Sequence, residues 1–166
     1  MLHKGMNPVE VLKRCRDEGF SSAVDVGLHP NDLDERMSLY ADVDRIWFSS
    51  GLAPAEAERD DWRNSLPKLK QQATSKSIIA VGEIGLDWFW NYGTKKSQMD
   101  LLNEQLEIAI ETELPVIIHN READEDTIAL LKAADLPARG VMHCFSSDYE
   151  FASRCIDLGF MISFAG

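Results

Sequence analysis

Basic residues are in short supply: 17 Lys and Arg stand against 28 Asp and Glu, a formal net charge of −11. That balance argues against non-specific binding to nucleic acid through a broad basic surface. It leaves open a nucleic-acid substrate held by metal ions and a few local donors. Cysteine is scarce as well. Cys15, Cys144 and Cys155 have neither zinc-knuckle spacing nor an even count, so they read as reduced thiols of an intracellular protein. No apolar run approaches the roughly 18 residues of a membrane span, and no signal peptide opens the chain. Linkers, low-complexity tracts and internal repeats are also missing. For 166 residues the expectation is one cytoplasmic domain with a core large enough to fold.

What is present centres on Ala80-Val81-Gly82-Glu83-Ile84-Gly85-Leu86-Asp87, which follows the apolar start Ser77-Ile78-Ile79. A carboxylate stands between two glycines, residues that allow unusual backbone angles and close approach. A glutamate at the end of a buried strand must be paired, protonated or bound to a cation. Two more apolar strands end on histidine: Pro115-Val116-Ile117-Ile118 runs into His119, and Gly140-Val141-Met142 into His143. Glu83, His119 and His143 are therefore candidate ligands of a divalent ion such as zinc, manganese or nickel. A bridging carboxylate with two ions would suit phosphoester hydrolysis.

The remaining chain alternates helix and strand. Asn7-Pro8-Val9-Glu10 opens a helix that Gly19 stops, with Asn as cap and Pro in the first turn. Further helices are expected over 32–43, 60–74 (kinked or divided at Pro67), 95–113, 122–134 and 149–158. Strands are expected over 22–27, 45–51, 116–118, 141–145 and 160–164, besides the central one. Strands that are apolar throughout imply a parallel sheet covered by helices. A doubly wound sheet and a (β/α)₈ barrel both fit. The barrel is favoured because polar residues gather at several strand ends, where barrel enzymes keep their chemistry. Six units fall short of eight, and the chain stops on Ser163-Phe164-Ala165-Gly166 directly after a strand. A fragment is expected.

Other residues admit two readings. Arg121 would hold a phosphate or carboxylate, or pair with Glu122, Asp124, Glu125 and Asp126. Asp87 would orient a ligand, or cap a turn. Trp88, Phe89, Trp90 and Tyr92 would stack on bases or, the favoured reading, pack a loop over the barrel mouth. Ser146-Ser147-Asp148 reads as a helix cap with amides open to an anion. His29 and His3 read as loop residues without partners. Strand alternation turns Cys144 away from His143, which argues against a nucleophile.

Taken together, Val81–Asp87, Leu114–Ala123, Gly140–Ser147 and Leu158–Gly166, with Gln98 and Gln105, resemble the TatD family of metal-dependent hydrolases. The resemblance implies a TIM-like (β/α)₈ barrel of the metallo-dependent hydrolase type, incomplete at both ends, with residues 1–166 as one partial domain. It also implies one or two divalent ions (Mg, Mn, Zn or Ni) and cleavage of phosphodiesters, chiefly in DNA. Glu83 matches the metal-bridging glutamate, His119 and His143 match two metal-binding histidines, and Arg121 matches a residue near the substrate. The departures are the missing His-x-His of the first strand and the missing Glu-Thr-Asp of the eighth, which carries the catalytic aspartate. Alanine at position 53 also replaces the histidine of Gly-x-His-Pro. The expected function is a DNA phosphodiesterase using metal-activated water, with the isolated chain nearly inactive. The alternatives are an amidase or lactonase on the same barrel, against which the lack of a lysine at the central strand's end counts, or a non-catalytic metal-binding paralogue.

Overall fold

A computed structural model describes residues 7–164. His3 and the terminal Ala165-Gly166 lie outside them. The order is α1 (Pro8–Asp17), β1 (Ala23–Asp25), α2 (Leu33–Leu39), β2 (Ile46–Ser50), α3 (Leu66–Thr74) and β3 (Ala80–Asp87). Then come α4 (Lys95–Thr112), β4 (Val116–Arg121), α5 (Asp124–Ala134), β5 (Gly140–Met142), α6 (Tyr149–Asp157) and β6 (Met161–Ile162). Every neighbouring pair of strands is parallel, and the sheet order is the chain order, β1 to β6. A doubly wound sheet reverses direction at a switch point, whereas a barrel adds each strand beside the last. The sheet is a sector of a barrel.

Local chemistry explains the element ends. Asn7 accepts a hydrogen bond from the Val9 amide at 2.9 Å, and Pro8 occupies the first turn of α1. Pro67 sits in the first turn of α3, so the expected 60–74 helix is divided into a short 3₁₀ segment, Trp62–Ser65, and α3. Thr94 and Asp148 cap α4 and α6, accepting from Ser97 and Phe151 amides. Two strands are shorter than expected. β5 ends at Met142 because Cys144 adopts φ +48°, which turns the chain out of the extended region. β6 is two residues long, with Met161 and Ile162 paired to Val141 and Met142. The central strand is longer than its apolar start suggests, running through the glycine motif to Asp87.

The core lies between the sheet and its helices. Ile84, Leu86, Val116 and Ile118 pack there with Leu102, Leu106, Ile128, Leu131 and Phe151. A satellite cluster of Leu52, Ala57, Trp62 and Leu101 sits under the loop after β2. Three fully or nearly buried glutamine amides join helices to strand ends. Gln105 accepts from the Leu52 amide (2.7 Å) and donates to the Leu52 carbonyl (3.0 Å). Gln98 treats Asp87 in the same way, at 2.9 and 3.1 Å. Gln72 accepts from Ser50 and donates to the Pro30 carbonyl. Each amide offers a donor and an acceptor, so it satisfies backbone groups where the ladder stops.

Candidate metal centre

The glycines of β3 permit its close seat against β4. A Cβ on Gly85 would lie 1.9 Å from the His119 carbonyl oxygen, and one on Gly82 would lie 2.6 Å from the Ile117 side chain. Both have positive φ, +151° and +158°. The register slips between Val81 and Ile84, then pairs Gly85 with His119 and Asp87 with Arg121. This bulge brings Glu83 and Asp87 to one imidazole. His119 Nδ1 is 2.8 Å from Glu83 Oε1, and its Nε2 is 2.9 Å from Asp87 Oδ2.

Burial disfavours the His119 imidazolium, but the hydrogen bonds and charges of Glu83 and Asp87 outweigh it. The pKa lies above the ordinary histidine value. Asp87 is nearly buried and has a second duty. Its Oδ1 accepts from the amides of Phe89 (3.0 Å) and Trp90 (2.9 Å). Of the two readings offered by the sequence, the turn cap is present, and the other carboxylate oxygen faces the His119 ring.

His143 stands one residue past β5, where its amide still donates to the Ile118 carbonyl at 2.8 Å. Among the described residues, no three His, Cys, Asp or Glu gather as a complete metal cage. Glu83 and His119 do fit one side of a divalent ion. An ion on one ring nitrogen would replace one carboxylate contact and leave the other carboxylate to orient the ring.

Cys144 corrects the alternation reading. Beyond Met142 the strand rule no longer applies, and Cys144 Sγ approaches His143 Nε2 to 3.2 Å. The thiol is still a poor nucleophile, because desolvation and then the Glu83 charge push its pKa up. His29 is not partnerless either. Its Nδ1 accepts from the Asn31 amide, so a neutral ring carries its proton on Nε2, 3.2 Å from Ser65 Oγ. That tautomer donates to Ser65 and cannot take its proton.

Arg121 forms no ion pair with the four neighbouring acids among the described residues. Its guanidinium lies over Phe89, 3.7 Å from the ring centroid, and 5.7 Å from Trp90. The aromatic loop divides in two. Trp88 packs inward and donates from Nε1 to Asp126 at 3.1 Å, whereas Phe89 and Trp90 are about half exposed. Sequence reading missed one network. Asn120 donates to Asp124 (2.6 Å) and Ser147 (3.3 Å), accepts from buried Thr127 (2.8 Å), and Ser147 also donates to Asp124. It ties the loop after His143 to the end of β4. The one available signal was Asn120 following His119, and an asparagine next to a strand end is too common to single out.

A parallel barrel sector that brings carboxylate and imidazole together on adjacent strands has the layout of the metal-dependent hydrolase barrels. Residues 2–166 match the family described as TatD related DNase, and the chain belongs to that family. The metal-dependent hydrolase YcfH of Escherichia coli (strain K12) is 36% identical over 166 residues, covering 99% of this chain and 61% of that protein. The 3'-5' ssDNA/RNA exonuclease TatD of Pectobacterium atrosepticum is 31% identical over 161 residues, covering 95% and 61%. The crystal structure of YJJV, a TatD homolog from Escherichia coli K12, superposes with a TM-score of 0.82 at 32% identity, over 91% of this chain and 59% of that one. The chain thus spans about six-tenths of the length of these relatives. No described helix is long and apolar enough to cross a membrane.

Proposed function

We propose that this chain carries part of the active site of a metal-dependent phosphodiesterase acting on DNA, with Glu83, His119 and His143 as metal ligands and Arg121 as a substrate contact. The observation that carries this reading is the contact of Glu83 and His119 across the adjacent strands β3 and β4, in a family with members named as nucleases. A divalent ion bound there would supply Lewis acidity and lower the pKa of a bound water. Glu83 offers the anionic oxygen, His119 the neutral nitrogen, and Asp87 fixes the imidazole plane from the far side. Arg121 presents a planar cation beside them for a phosphate oxygen. The free thiols of Cys15, Cys144 and Cys155 support a cytoplasmic setting.

A second reading, non-catalytic metal binding, is favoured by Ala53, which stands where the family's Gly-x-His-Pro has histidine. Calorimetric titration with Mn²⁺ and Zn²⁺, paired with hydrolysis of a labelled single-stranded oligonucleotide, separates the two. Expected is binding that falls about tenfold or more in Glu83→Ala and His119→Ala, with any hydrolysis lost in both variants and in chelator. Affinity unchanged in both variants would overturn the assignment of these ligands. Binding that needs Glu83, without hydrolysis by a full-length relative carrying the same residues, would favour the second reading.

A further inference from the structure

Phe89 and Trp90 are the two large apolar side chains that the site leaves in solvent. They stand 47% and 52% exposed, although their own backbone is fixed. Both amides are held by Asp87, and Gln98 holds the Asp87 backbone and the Tyr92 carbonyl on either side of the loop. A loop fixed at this many points does not need exposed rings for its own stability. The rings meet edge to face, with centroids 4.8 Å apart and planes at 88°. Such a corner gives a planar ligand one ring to lie on and another to abut. The Arg121 guanidinium covers one face of Phe89, and Arg121 stands two residues after His119 on β4. A cavity of ≈ 200 Å³ opens against the same loop, with Phe89, Trp90 and Lys95 among its walls.

We infer that Phe89, Trp90 and Arg121 form a stacking subsite that seats one unpaired nucleobase beside the Glu83–His119 site; this deepens the nucleic-acid reading above and rests on it. A base within a duplex keeps its faces against its neighbours, so only an unpaired or splayed base reaches the rings. The subsite thereby selects single strands without reading sequence, since every base has a π-face. It also answers the charge problem. A chain of net charge −11 lacks a broad field to draw in a polyanion, and local stacking plus one guanidinium supplies affinity that a basic surface would otherwise give.

The test uses the chain in Mn²⁺ with a phosphorothioate single-stranded oligonucleotide, which resists hydrolysis, and follows fluorescence anisotropy. The same oligonucleotide with an abasic terminal nucleotide, and its duplex, are the comparison probes. Expected is that Phe89→Leu and Trp90→Leu each weaken single-strand binding about tenfold, and that abasic or duplex probes bind the wild type as weakly as the variants. Trp90→Phe keeps a ring and should recover most of the affinity. Removal of the base should abolish the difference between wild type and Trp90→Leu, a result that a merely structural role would not produce. Single-strand binding that stays within twofold in both leucine variants would overturn the subsite while leaving the nucleic-acid reading intact. No binding of any oligonucleotide by wild type, with Mn²⁺ bound, would overturn both.

Discussion

Asp87 is the residue on which most of the local design converges. One oxygen faces the His119 ring and the other caps the aromatic loop. Substitution separates the two duties. Asp87→Asn keeps an oxygen for the loop amides but places an amide opposite His119 Nε2, so the ring must present its other tautomer. Expected is a 10- to 100-fold loss of metal affinity by calorimetry, with little change in melting temperature. Asp87→Ala should lose that affinity and, by thermal unfolding, about 2 kcal/mol of stability as well. Sequence made the carboxylate visible but not its double use, because the contact with His119 depends on the bulge between Val81 and Ile84, whereas the cap on the loop is local. Cys144 shows the opposite failure. Period-two alternation does not extend to Cys144, two residues beyond the end of β5, where a positive φ turns the side chain.

Among the elements, α4 does more than cover the sheet. Through Gln98 and Gln105 it supplies hydrogen bonds to the last residue of β3 and to the chain after β2, 53 residues away in the second case. Gln105→Leu would leave the buried Leu52 amide and carbonyl unpaired. The expected cost is about 3 kcal/mol in denaturant unfolding, far above that of an exposed glutamine. Such amides are hard to read from sequence: their positions were noticeable only through the family resemblance, and Gln72, which does the same for Ser50 and Pro30, gave no signal. Strand identity was legible because buried parallel strands are apolar throughout, whereas their ends were not. Strand ends depend on single backbone angles such as that of Cys144, which hydrophobic pattern does not encode.

Across the whole molecule, several apolar side chains of the sheet are left in solvent. Phe48 packs towards α2 through Tyr40, so its neighbour Trp47 points the other way, in register with Val24. Both are about two-fifths exposed, and Met161 on β6 is two-thirds exposed. Exposed apolar side chains favour association. Sedimentation of this chain at tens of micromolar should therefore show species larger than a monomer, and Trp47→Lys should return it towards one. A monomer at every concentration would show that these side chains are tolerated in water.

The strand order carries a further consequence, one of time rather than of shape. Since each strand lies beside the one made just before it, no pairing among β1 to β6 waits for a distant part of the chain. As the polypeptide is synthesised from its amino end, every new βα unit meets a completed edge. The molecule can thus assemble by accretion, and the Glu83–His119 contact involves no strand later than β4.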